Sequence, residues 1–259
     1  MSHITLFDTP IEVVRLPSSH ARADRPPLVF LHEGLGSVAM WRDFPQRVAD
    51  ATGCEAIVYS RQGYGRSGPL AKPRTATYLH EEALDWLPAL IRALDIPPPL
   101  LLGHSDGASI ALIHAARAQP KVPGIIVMAP HTFNEPMILD GIRGAMHTYQ
   151  TTAFPEKLAR YHASQAATDA LFDAWASTWL SPEFADWQID DMLADIACPV
   201  LAIQGEDDEY ATMAHIERVA AAAADVDVLK LADCRHSPHK DQLDAVLESV
   251  QTFVNRLYD

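Results

Sequence analysis

A chain of 259 residues is long enough for one large domain or two small ones, and its formal net charge of −14 argues against nucleic acid or an anionic membrane as partner. Hydrophobic residues make up 48% of it, enough for a large core, yet no run of 18 apolar residues exists to span a bilayer. Its start, Met1-Ser2-His3-Ile4-Thr5, shows no basic region followed by an apolar one, and its three cysteines, Cys54, Cys198 and Cys234, are odd in number and far apart. Both features suit free thiols in a reducing, cytoplasmic setting.

Ile4–Asp8 and Glu12–Leu16 are short β-rich pieces on either side of Thr9-Pro10, and they read as an antiparallel hairpin at a sheet edge. Leu28–His32 is a buried strand that runs into Glu33-Gly34-Leu35-Gly36. Trp41–Thr52 has helical spacing and stops at Gly53. Glu55–Tyr59 is the next strand, with the Gly-rich loop Ser60–Gly68 after it. Thr77–Leu94 reads as a helix kinked at Pro88. Leu100–Leu102, Gly124–Pro130, Pro199–Gln204 and Val226–Leu231 complete the strands, with helices over Ala211–Ala224 and Gln242–Leu257. Apolar strands alternating with helices predict an α/β fold: a mostly parallel, eight-stranded sheet with helices on both faces.

One segment breaks the alternation. Residues 131–196 hold no convincing strand and read as helices over Pro136–Tyr149, Pro155–His162, Thr168–Leu180 and Pro182–Ile196. Residues 1–130 and 197–259 then form the core, with 131–196 inserted. The insertion carries Phe154, Phe172, Trp175, Trp179, Phe184 and Trp187. Most of these are expected to hold it together, while a few, with Trp175 and Trp179 as the candidates, line an apolar substrate cavity.

The chemistry is concentrated at Gly103-His104-Ser105-Asp106-Gly107, between the strand Leu100–Leu102 and the helix-forming run from Ser109 to Arg117. A serine on a sharp strand-to-helix turn has its hydroxyl lifted clear of the backbone, with the helix amides aimed at the same place. At these residues the chain resembles the α/β-hydrolase superfamily, and the resemblance extends over nearly its whole length. It implies Ser105 as nucleophile, followed in chain order by an acid and a base. A serine hydroxyl needs such a base within hydrogen-bond reach, and the base needs an orienting carboxylate. The loop Gly205-Glu206-Asp207-Asp208 matches the family's Gly-x-x-Asp, which implies Asp208 rather than Asp207. Past the last strand, Asp233-Cys234-Arg235-His236 implies His236 as base, with His239 as fallback.

The resemblance also implies two amides facing the developing oxyanion. One belongs to Asp106. The other comes from the loop after Leu28–His32, from Gly34, or from Leu35 if the glycine is shifted by one. Two departures stand out. Relatives usually read His-Gly where this chain has His32-Glu33-Gly34, which brings a carboxylate near the oxyanion unless Glu33 turns away, toward Arg61. Ser60 stands where related chains often have Asp.

Gly-x-Ser-Asp-Gly with a helical insertion resembles the biphenyl-hydrolase-like esterases, and the insertion is implied to be a lid. The implied activity is hydrolysis of a small carboxylic ester, thioester or amide through an acyl-enzyme on Ser105. Carbon–carbon bond hydrolysis of meta-cleavage products uses the same three residues and is the close alternative. A ligand receptor on a hydrolase fold is the non-enzymatic one. The Asp106 side chain has two readings: a helix-start carboxylate favoured by the helix dipole, or a substrate-binding group for a cation such as an α-ammonium. No metal and no cofactor are expected, since His32 and His104 lack companion ligands at zinc spacing. The partner is a small-molecule substrate, and the chain is expected to act as a monomer or homodimer.

Overall fold

The computed structural model describes residues 2–70 and 72–259. Eight strands form one sheet: β1 (Ser2–Leu6), β2 (Thr9–Leu16), β3 (Leu28–Leu31), β4 (Ala56–Tyr59), β5 (Leu100–His104), β6 (Ile125–Met128), β7 (Val200–Gly205) and β8 (Val226–Leu231). Their order is β1-β2-β4-β3-β5-β6-β7-β8, with β1 and β2 antiparallel and all later pairs parallel. Alternate side chains of each central strand enter opposite layers. Leu28, Phe30, Leu100, Leu102, Ile126 and Met128 pack with α1 (Phe44–Thr52) on one face. Val29, Leu31, Leu101, Ile125 and Val127 pack on the other, against helices that follow β4 and β5. Burial on both faces is why these strands read as continuous apolar runs.

Three expectations about the chain path are corrected. The first hairpin turns at Phe7 and Asp8, both with positive φ (47° and 63°), and Thr9 and Pro10 lie in β2 opposite Leu6 and Thr5. A two-residue turn needs positive φ at its centre, which proline cannot adopt. Pro10 is accepted in a strand because its carbonyl still bonds, taking the Gly68 amide at 2.7 Å. Next, the helix with Pro88 is not simply kinked. α2 (Tyr78–Glu81) widens into a π turn over Glu82–Trp86 and continues as α3 (Leu87–Ala93). A wider turn accommodates a proline ring that would meet the carbonyl four residues back.

α4 (Asp106–Arg117) follows β5 and is buried along nearly its whole length. The insertion holds α5 (Pro136–Thr151), α6 (Phe154–Ala159), α7 (Gln165–Trp179) and α8 (Asp190–Leu193). The helix expected over Pro182–Ile196 is the third correction. A short 3-10 turn at Pro182–Phe184 precedes a bridge between Phe133 and Gln188, and only α8 is helical beyond it. α9 (Ala214–Ala222), α10 (Pro238–Asp241) and α11 (Leu243–Tyr258) close the chain, the last packing Val246, Val250, Phe253 and Val254 beside α1. The Ser60 departure has a compensation: Glu12 of β2 supplies the carboxylate, accepting from Ser60 Oγ at 2.7 Å and from the Arg66 amide at 2.8 Å.

Candidate active site

Ser105 sits between β5 and α4 with φ 54° and ψ −120°, a strained conformation for a residue with a side chain. The flanking glycines let the turn close. A Cβ on Gly103 would stand 2.2 Å from the Gly107 carbonyl oxygen, and one on Gly107 would stand 1.9 Å from that of Leu31. β5, α4 and β3 therefore approach more closely than any side chain would allow.

The loops after β7 and β8 reach the same point. His236 Nε2 lies 3.0 Å from Ser105 Oγ, and His236 Nδ1 lies 2.9 and 3.0 Å from the two oxygens of Asp208. Nδ1–H faces a carboxylate, so Nε2 is the acceptor for the serine hydroxyl. Asp208 is fixed in turn by the amides of Tyr210 (2.8 Å) and Ala211 (3.2 Å) and by Gln204 Nε2 (3.2 Å). Asp207 is exposed, with its amide on the Cys234 carbonyl, and does not approach His236. His239 is packed against the stacked rings of Trp41 and Phe44 and does not replace His236. His104 Nε2 donates to the His236 carbonyl at 2.6 Å, tying the Ser105 turn to the His236 loop.

Among the described residues, no hydrogen bond engages the amides of Gly34, Leu35 or Asp106. The carbonyls of the Gly34 loop are all held from outside. Glu33 O accepts from His32 Nδ1 (2.8 Å), Arg61 Nη2 (2.9 Å) and the Gly36 amide (3.0 Å). Gly34 O accepts from Tyr64 Oη (2.9 Å), and Leu35 O from His162 Nε2 (3.2 Å).

The Glu33 carboxylate does not reach for Arg61, contrary to expectation. Its Oε2 faces His104 Nδ1 at 3.7 Å, and Arg61 meets only the main-chain carbonyl. Burial works to raise the Glu33 pKa, but His104, Lys240 and His32 hold it well below the usual carboxylate range. The Asp106 side chain stands in the first turn of α4, as the helix-start reading has it, but it is not free for a substrate cation. It is 1% exposed, accepts from Tyr78 Oη at 2.9 Å, and lies 3.5 Å from Arg61 Nη2. Tyr78 Oη in turn accepts from Trp179 Nε1 at 2.9 Å.

A cavity of about 280 Å³ opens above Ser105, with Gly34, Glu33, Asp106, His131 and His236 at its polar end. Ile138, Ile142, Phe154, Leu158, Trp175 and Trp179 of the insertion form its apolar wall. Trp175 presses onto the Gly34 loop, where an added Cβ would stand 2.4 Å from its Nε1. Phe172, Phe184 and Trp187 do not line the cavity. Phe184 stacks on Trp187 and Phe172 on Tyr149, within the insertion. Sequence reasoning missed Tyr78 and His131 at this site, and it placed Arg61 beside the Glu33 carboxylate rather than beside the Glu33 carbonyl and Asp106.

A model of the alpha/beta hydrolase family matches residues 28–249. The proline iminopeptidase of Lactobacillus helveticus is 25% identical over 225 residues, covering 72% of this chain and 76% of that one. The 2-hydroxy-6-oxo-6-phenylhexa-2,4-dienoate hydrolase of Burkholderia cepacia is 21% identical over 243 residues, 84% of each chain. The crystal structure of the enol-lactonase from Burkholderia xenovorans LB400 superposes with a TM-score of 0.75 at 18% identity, covering 98% of this chain and 99% of that one.

Proposed function

Since the chain belongs to the alpha/beta hydrolase family, we propose that it is a serine hydrolase of small carboxylic esters, acting through an acyl-enzyme on Ser105. The supporting observation is the hydrogen-bonded series Ser105–His236–Asp208 beneath a mostly apolar cavity. Ser105 Oγ forms a bond to the carbonyl carbon as its proton passes to His236 Nε2 and the π electrons move onto oxygen. The amides of Gly34 and Asp106 are unengaged and receive that oxyanion. Collapse breaks the bond to the leaving group, which takes the proton from His236. Water, deprotonated by the same histidine, then releases the acid and restores the serine. Asp208 holds the imidazole with its proton on Nδ1 throughout.

Residues 131–196 act as a lid in this reading, with residues 1–130 and 197–259 as the catalytic core. The cavity volume and its aliphatic and indole walls suit a short acyl chain. The Asp106 carboxylate, engaged by Arg61 and Tyr78, serves the site rather than a substrate amine. With three free cysteines, the protein works in the cytoplasm.

The deciding experiment is turnover of a panel of acyl p-nitrophenyl esters together with labelling by a fluorophosphonate, in wild type and Ser105→Ala. Turnover and labelling that both vanish in the variant are expected. A wild-type protein that resists the fluorophosphonate would favour the ligand-receptor reading. Turnover of a meta-cleavage product but of no ester would favour carbon–carbon hydrolysis.

A further inference from the structure

Arg61 takes no part in the mechanism just described, yet it is fully buried and lies behind the cavity floor rather than in its lining. Its contacts converge on the two residues whose amides are unengaged. The Glu33–Gly34 peptide is a planar trans unit, so its C=O and N–H point in opposite directions. Arg61 Nη2 holds that carbonyl at 2.9 Å, on the side away from the cavity that Gly34 lines. The Arg61 backbone acts on the same oxygen indirectly. Its N–H donates to His32 Nε2 at 3.0 Å, which leaves the imidazole proton on Nδ1, and Nδ1–H donates to Glu33 O at 2.8 Å. Two of the three donors to that carbonyl therefore depend on Arg61. The same Nη2 lies 3.5 Å from Asp106 Oδ2, beneath the other free amide. The guanidinium is itself seated over the Tyr64 ring, 4.7 Å from its centre, and Tyr64 Oη holds the next carbonyl, Gly34 O.

We propose that Arg61 is a positioning residue that fixes the Glu33–Gly34 peptide and the Asp106 side chain together, so that the amides of Gly34 and Asp106 face the oxyanion formed on attack by Ser105. The assignment rests on the serine-hydrolase reading for its consequence in catalysis, though not for its effect on the peptide. Pinning the carbonyl with a charged donor also polarises the peptide and strengthens its N–H as a donor. Preorganised donors of this kind act in the transition state, so their loss falls on kcat.

Arg61→Met is expected to lower kcat about 100-fold, the range for loss of one oxyanion donor, with KM changed by less than about threefold. Arg61→Lys should recover part of the loss. Removing a buried cation also leaves Asp106 uncompensated, so Arg61→Met is repeated with Asp106→Asn, which removes both charges. Under the proposal kcat stays low, because the Glu33 carbonyl still lacks its charged donor, though the His32 and Gly36 donors remain. Recovery to wild-type kcat in the double variant would assign Arg61 to charge balance alone and overturn the proposal, as would a loss carried by KM. Fluorophosphonate labelling of the wild type tests the serine-hydrolase reading separately. If that reading fails, a crystal structure of Arg61→Met still decides: a rotated or disordered Glu33–Gly34 peptide supports the assignment, and an unmoved one overturns it.

Discussion

At the residue scale the site depends on single atoms held by short loops. Under the proposed mechanism Ser105→Ala and His236→Ala are each expected to lower kcat by about 10⁴-fold or more, the first by removing the attacking hydroxyl and the second by removing its proton acceptor. A loss below tenfold in either variant would remove that residue from the mechanism. Asp208→Asn should approach a similar loss by presenting the wrong hydrogen-bond partner to His236 Nδ1. Asp207→Asn, on an exposed side chain that does not touch His236, should leave kcat within about twofold, and the reverse ranking would reassign the acid. Glu33 illustrates how position alone misleads. A carboxylate beside an oxyanion is unfavourable, but the Glu33 carboxylate is turned toward His104.

At the element scale the inserted helices divide their aromatic side chains between two tasks. Trp175, 8% exposed, faces the cavity and the Gly34 loop. Trp179 also touches the cavity, but it is 1% exposed, packs among Phe184, Trp187 and His131, and donates to Tyr78. Trp175→Ala is expected to shift preference toward longer acyl chains, read as kcat/KM across the p-nitrophenyl ester series, with a small change in Tm. Trp179→Ala should cost about 3–5 kcal/mol of stability through the cavity it leaves, measured by urea denaturation. An unchanged chain-length profile in Trp175→Ala would show that α7 serves packing alone.

For the molecule as a whole, buried histidines make stability depend on pH. His32, His131 and His239 are each at most 5% exposed. Burial holds their pKa values well below the ordinary 6.5, and the charges of Arg61 near His32 and Lys240 near His239 push the same way. A histidine with a depressed folded pKa takes up its proton first in the unfolded chain. Its contribution is therefore complete above pH 6.5 and is lost as pH falls toward the folded value. Three such groups give a slope on the order of 4 kcal/mol per pH unit below 6.5, against a total stability of about 5–15 kcal/mol. Urea unfolding between pH 7.5 and 5.5 should show this fall, and His239→Phe should flatten it by about a third. Stability that is level across that range would show that these imidazoles protonate without unfolding.

The sequence alone determined the central strands of the sheet, because strands buried on both faces must be apolar throughout, and it marked the turn at Ser105, because only glycine fits where β3, β5 and α4 meet. It also marked the insertion, where the alternation stops between β6 and β7. The tertiary structure decided what depends on distant chain segments. Ser105 and His236, 131 residues apart, are brought within 3.0 Å by loops at the same end of one sheet, after β5 and β8. Asp208 rather than Asp207 faces His236 because the Tyr210 and Ala211 amides fix that carboxylate. The settings of Glu33 and Asp106 were illegible for the same reason. A buried charge turns toward whichever partner the fold supplies, and His104 and Arg61 are brought to them only by the packing of the three parallel strands β4, β3 and β5.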